Sequence, residues 1–207
     1  MPVRFFWQSL ALVLLSIMLA TDALANKSVG PLEVVEQTAN RVLTTLEENT
    51  QQLQDDPEAV QTLVAEILLP RFDFELMSRF VLGRHWRDAS ASQREAFTAG
   101  FRDLLVRTYA RALNDYSGED VHFPAQRIAD DSERVTVQTE VIQGDGPVIP
   151  VNYALFFRND EWKVFDVTIE GVSLVQNYRA QFGDIVRADG MDILIERVRS
   201  GAVGDES

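Results

Sequence analysis

The sequence predicts an α+β domain in which helices come first and cover one face of a curved antiparallel sheet of about four strands, with a C-terminal helix after it. Three observations carry this. From Pro31 to Tyr116 the apolar residues recur every three or four positions, the period of helices with one buried face. Beyond Ser117-Gly118 the period changes to two, as in strands with one face buried. The alternating runs are separated by short polar or glycine-containing links, Gly144-Asp145-Gly146 and Asn159-Asp160, which suit a meander.

The first helix opens at Pro31, a residue suited to a first helical turn, and Val35, Thr38, Val42, Leu46, Asn49 and Leu53 share one face. Asp55-Asp56-Pro57 starts a second helix, whose stripe of Val60, Leu63, Val64, Ile67 and Leu68 ends at Pro70. A short helix over Arg71 to Val81 carries Phe72, Phe74, Met77, Phe80 and Val81 to the glycine at 83. Ser90-x-x-Gln93 and Ser92-x-x-Glu95 both have the form of a capping box, so the longest helix begins within a residue or two of them. Its stripe is rich in aromatic residues: Phe97, Phe101, Leu104, Leu105, Tyr109, Leu113 and Tyr116.

Val121 to Ile128 forms a first strand, Val135, Val137, Thr139 and Val141 one face of a second, and Ile149, Val151, Tyr153, Leu155 and Phe157 one face of a third. In the fourth, alternation sets Trp162, Val164, Asp166 and Thr168 on one side and Phe165, Val167 and Ile169 on the other. Gly171 breaks the pattern, and Leu174, Val175, Tyr178 and Phe182 then follow at helical spacing. Ile185, Val186, Met191, Leu194, Ile195 and Val198 suggest a broken C-terminal helix, and Gly201 to Ser207 a disordered tail.

The N-terminus bears on where the chain works. Arg4 lies in a short basic region, Leu10 to Ala20 is apolar, and Ala23-Leu24-Ala25 has the small-x-small form of a secretory cleavage site. The apolar run falls short of the roughly 20 residues needed to span a bilayer, so residues 1–25 are expected to be a cleaved signal peptide. Residues 26–200 are then a single domain. Absence of cysteine excludes disulfides and a lipid-modified N-terminus. A formal net charge of -13 argues against nucleic acid, whose phosphates need clustered Lys and Arg, and against lasting attachment to anionic membranes.

Little here points to covalent chemistry. His85 and His122 are the two histidines and share no metal-ligand spacing, and no Gly-rich phosphate loop or zinc signature occurs. Asp166 is the one candidate general base, and no second polar group converges on it in the sequence. Arg87 in His85-Trp86-Arg87 pins the junction between two helices or meets an anionic group at a cavity mouth; Arg179 has the same two readings.

Two blocks are specific. GRHWRDAS (83 to 90), followed by Gln93, Phe97, Phe101, Leu104, Leu105 and Tyr109, and DVTIEGVSLVQNYRAQF (166 to 182) resemble the MlaC family, the periplasmic phospholipid carriers also called toluene-tolerance auxiliary proteins. The resemblance implies an NTF2-like cone and no catalysis. It implies a lipid cavity built from Phe97, Phe101, Leu104, Leu105, Tyr109, Leu113, Val151, Tyr153, Leu155, Val167, Ile169, Val172, Val175, Tyr178 and Phe182, with Arg87 or Arg179 near the headgroup. No cofactor is implied, only phospholipid as cargo. The implied partners are an outer-membrane lipoprotein bound to a trimeric porin and an inner-membrane ABC transporter with ring-forming lipid-binding domains. A monomer that serves outer-membrane lipid asymmetry is expected. Taken without the resemblance, the same stripes read as a filled core, and an enzyme using Asp166 or a periplasmic protein-binding adaptor stays open.

Overall fold

The computed structural model describes residues 29–49, 57–114, 116, 118–128, 132–144 and 146–203. The signal peptide expected at 1–25, Leu53 of the first stripe and the last four residues of the tail lie outside them. Helix α1 (Pro31–Glu48) begins on Pro31, as the sequence predicts, and stops at Asn49, whose N–H and side-chain amide both donate to the Thr45 carbonyl. Helix α2 (Pro57–Leu63) continues into a π-helical turn (Val64–Leu68) and a 3-10 turn (Leu69–Arg71). The expected helix over Arg71 to Val81 starts later, as α3 (Phe74–Leu82), because Phe72 is extended and bridges to Val164 while Asp73 accepts from the Leu76 N–H as N-cap.

His85–Asp88 forms one helical turn, α4, and α5 (Ala91–Asn114) follows. Its start is the Ser90–Gln93 capping box: the Gln93 N–H donates to Ser90 Oγ at 3.2 Å and the Ser90 N–H donates to Gln93 Oε1 at 3.0 Å. The strands are β1 (Asp120–His122), β2 (Arg134–Ile142), β3 (Val148–Arg158), β4 (Glu161–Ile169) and β5 (Val172–Ser173), antiparallel and paired in chain order. Two details correct the expectation: β1 spans three residues instead of reaching Ile128, and β5 is an added edge strand. The β3–β4 link at Asn159-Asp160 has positive φ at both positions (53° and 62°), the geometry of a tight hairpin.

Helix α6 (Leu174–Asp189) runs a full seven residues past Phe182, and Gly190, with φ of 88°, separates it from α7 (Met191–Ser200). Val203 is buried with the helical core, so the chain stays docked through that residue, where the sequence suggested a free tail from Gly201.

The packing has three parts. A helical cluster joins α3, α5, α6 and α7 around Phe97, Phe101, Phe182, Met77, Leu194 and Val198, all fully buried. Its rings meet edge to face, Phe97–Phe182 at 5.8 Å and Phe101–Tyr178 at 5.3 Å between centroids. A second cluster lies between α1 and the sheet, with Val34 and Val35 over Val135, Val137, Val151, Leu155, Val164 and Val167. The third joins α1 to α2 and the π turn.

Strand β4 departs from strict alternation. Its register with β3 shifts at Ala154/Leu155, where Leu155 pairs with Val164 and Ala154 with Asp166, so Phe165 is the extra residue of a β-bulge. Val164 therefore joins Val167 beneath α1, the reverse of the sequence reading, and Phe165 turns to Phe80 at 5.4 Å in the helical cluster. Ala154 and Phe156, which alternate against Leu155, pack into that same cluster, so helices touch both sides of the sheet at its bulged end.

Candidate functional site: an apolar cavity between sheet and helices

Two adjoining chambers open between the sheet and the helices. The first, about 370 Å³, lies under α1 and is lined by Val34, Val35, Val42, Leu46, Tyr116, Val121, Val141 and Val164 among others. The second, about 250 Å³, lies between the sheet and α3 and α5, with Met77, Leu105, Val106, Tyr109, Val151, Val167, Ile169 and Leu174 on its wall. Leu68, Phe72 and Tyr153 line both, so the chambers meet at these three side chains. Together they reach the range of roughly 300–1,000 Å³ typical of ligand pockets, and the lining of the second is apolar apart from two phenols. A broader depression of about 680 Å³ between the start of α5 and α7 lies open to solvent and is lined by Gln93, Asp192, Glu196 and Arg199; such a surface does not suit hydrocarbon.

The phenols are hydrogen bonded. Tyr153 shares a hydrogen bond with Thr139, which itself donates to the Val151 carbonyl at 2.7 Å; burial pushes the Tyr153 hydroxyl up, partly offset by Thr139. Burial, with Tyr178 beside it, raises Tyr109 to about 12, and a Tyr109–Tyr178 hydrogen bond ties α5 to α6 at the cavity's edge. Both groups are neutral over the physiological range, as an apolar cavity requires.

Of the cavity residues expected from the sequence, Leu105, Tyr109, Val151, Tyr153, Val167 and Ile169 line the chambers. Phe97, Phe101, Leu104, Val175, Tyr178 and Phe182 do not: they fill the helical core, because α6 and α7 close over the first half of the α5 stripe. Leu155 is fully buried under α1. Val172 sits on the edge strand at 56% exposure, facing solvent. The Leu113 side chain lies outside the described residues.

Neither expected headgroup arginine lines the cavity. Arg87 is exposed, and its carbonyl accepts from Arg94, whose guanidinium lies over the Trp86 ring at 5.4 Å and also bonds the Trp86 carbonyl. The Arg179 guanidinium lies against Gly83, where a β-carbon would come within 3.0 Å of it. The two signature blocks of the sequence thus touch each other, and their work is to hold α3, α4 and α6 together. Asp166 is likewise occupied: Oδ2 accepts from Ser173 Oγ at 2.6 Å and Oδ1 from the Val175 N–H at 3.0 Å, so the carboxylate joins β4 to the start of α6. His122 pairs with Glu140 across β1 and β2 at 3.0 Å. Among the described residues no group of side chains could hold a metal ion, and no helix is long and apolar enough to cross a membrane.

Sequence reasoning missed Val34, Leu68, Phe72, Phe74 and Arg71 as cavity residues. The available signal is Asp73, an N-cap residue type before Phe74-Glu75, which would start the helix there and leave Phe72 extended beside the Leu69–Arg71 turn.

Sheet, helices and chambers define the class: an α+β binding protein with an interior apolar pocket. The chain belongs to the MlaC family, whose family model matches residues 36–200. It is 29% identical over 199 residues to the intermembrane phospholipid transport system binding protein MlaC of Haemophilus influenzae, covering 93% of this chain and 91% of that one. Over 181 residues it is 29% identical to the toluene tolerance protein ttg2D of Pseudomonas putida, covering 87% and 84%. A solved structure of a phospholipid-binding protein from Ralstonia solanacearum, in complex with a phospholipid, superposes with a TM-score of 0.74 at 29% identity, covering 83% of this chain and 98% of that chain.

Proposed function

We propose that this chain is a periplasmic phospholipid carrier that takes acyl chains into the joined chambers and keeps the headgroup toward solvent. The observation that carries the reading is the pair of connected apolar chambers in a fold shared with a phospholipid-bound protein. Exposing a diacyl lipid in water would leave on the order of 30 methylenes unshielded at about 0.8 kcal/mol each, so a carrier needs a long apolar lining. The net gain is much smaller, because the chains already lie in a membrane and lose freedom in the pocket. Extraction near neutrality suits a shuttle that must also release its cargo.

On this reading residues 1–25 direct export and are removed, the remainder acts as one domain, and no covalent step or cofactor is involved. The lipid passes between an outer-membrane lipoprotein–porin complex and an inner-membrane ABC transporter with ring-forming lipid-binding domains, in support of outer-membrane lipid asymmetry. The test is mass spectrometry of an organic extract from protein purified without detergent. Near-stoichiometric phospholipid is expected, lowered several-fold by Leu105→Trp, which adds bulk to the second chamber. Protein that stays lipid-free after incubation with liposomes would sink the reading.

A further inference from the structure

We propose that Arg71 binds the phosphodiester of the cargo at the mouth of the first chamber; this rests on the carrier reading and names the residue that orients the lipid. The two chambers differ in polarity. The second offers a ligand nothing charged, whereas the first carries Arg71, Glu119, Gln143 and Thr38 on its wall beside the apolar residues. An amphiphile that fills both can satisfy its polar end at the first chamber only. Arg71 is the one cation among the described residues lining either chamber, in a chain whose net charge is -13.

Its backbone is held on both sides. Pro70, just before it, accepts from Lys163 Nζ at 2.7 Å; Phe72, just after it, donates to the Leu69 carbonyl at 3.2 Å and bridges to Val164. Asp73 then donates to the Val164 carbonyl at 2.9 Å. The guanidinium itself is exposed and makes no ion pair among the described residues: the neighbouring acid, Glu161, is paired with Lys163 at 2.7 Å and feels Arg71 as a more distant charge. A rigid stem with an uncommitted fork of donors over an apolar chamber is what a single-charged phosphodiester needs. Arg87 and Arg179 line neither chamber, and the Arg179 guanidinium lies against Gly83 at the α3–α4 link.

The test uses delipidated protein incubated with vesicles containing phosphatidylethanolamine, phosphatidylglycerol and a diacylglycerol of the same acyl chains, with occupancy read by native mass spectrometry. Wild type should favour phospholipid over diacylglycerol. Arg71→Gln should lower that ratio about ten-fold, equivalent to about 1.4 kcal/mol, with diacylglycerol uptake unchanged. Arg71→Lys, which keeps the charge and loses the fork, should fall between. Arg158→Gln, the same charge change at an exposed strand end, should match wild type. An unaltered ratio in Arg71→Gln overturns the proposal, as does loss of both lipids together, which would make Arg71 a structural residue. Inorganic phosphate held by Arg71 while lipid still occupies the chambers would make it a free-anion site and overturn the headgroup assignment. Uptake of neither lipid by wild type would remove the carrier reading itself.

Discussion

Replacing Asp166 with alanine tests whether this half-buried carboxylate is a structural brace. Two donors converge on it, Ser173 Oγ at 2.6 Å and the Val175 N–H at 3.0 Å, and both belong to the start of α6. Ser173 is also the N-cap of that helix, accepting from the Gln176 N–H at 3.1 Å, so Asp166 holds the cap that holds the helix. A hydrogen bond to a charged group contributes about 1.5–3 kcal/mol, and partial exposure places each of these at the low end of that range. A carboxylate beside a helix N-terminus adds about 0.3–1 kcal/mol. Asp166→Ala should therefore cost about 3–4 kcal/mol. Asp166→Asn, which keeps one carbonyl oxygen as acceptor, should cost roughly half as much. Equilibrium urea unfolding followed by the fluorescence of Trp86 and Trp162 would measure both. A loss below about 1 kcal/mol in the alanine variant, or equal losses in the two, would refute the brace.

Phe182→Ala should destabilise by about 3–5 kcal/mol, because the ring is fully buried against Phe97, Phe101 and Tyr178, while Val172→Ser on the exposed edge strand should stay within about 0.5 kcal/mol; thermal unfolding separates them. Tyr109 gives a pH dependence of known sign. Its hydroxyl is raised from 10.0 to about 12, so folding favours the neutral phenol, and that contribution is whole below pH 10 and fades as pH climbs through 12. Urea unfolding across that window should show a decline that is shallower in Tyr109→Phe, and absorbance titration near 295 nm should show one fewer late-ionising phenol.

Much of the fold was legible because periodicity reports the faces of helices and strands directly. The hairpin at Asn159-Asp160 was readable to the residue and the start of α5 to within two, Ser92 having the same capping form as Ser90, since each is a local motif with its own chemistry. The cavity was legible only in part. Phe101 and Leu105 stand one turn apart on the same stripe of α5 and both pack in the helical cluster, yet only Leu105 also reaches the cavity wall. What separates them is how far α6 and α7 extend over α5, a tertiary fact that leaves no mark on either residue. The place of Arg179 is hidden for a related reason: a guanidinium that braces a helix junction, as this one does against Gly83, and one that meets a ligand are the same residue type in the same polar setting. Arg71 carries no mark of its own, because the apolar spacing from Phe72 to Val81 predicts helix through it where the chain makes a 3-10 turn.

The extra residue at Phe165 also bears on how the sheet finds its pairing. A strand that alternates strictly can slide by one place and invert all its side chains together. Strand β4 cannot do so at a single cost, since its two halves are out of phase: Val164 before the bulge and Val167 and Ile169 after it reach the same side only when Phe165 is the residue left over. A straight pairing would strand one half with its apolar side chains reversed, whichever way the chain slid. The irregularity thus acts as a registration mark, by which the hairpin of β3 and β4 recognises one alignment and rejects its neighbours.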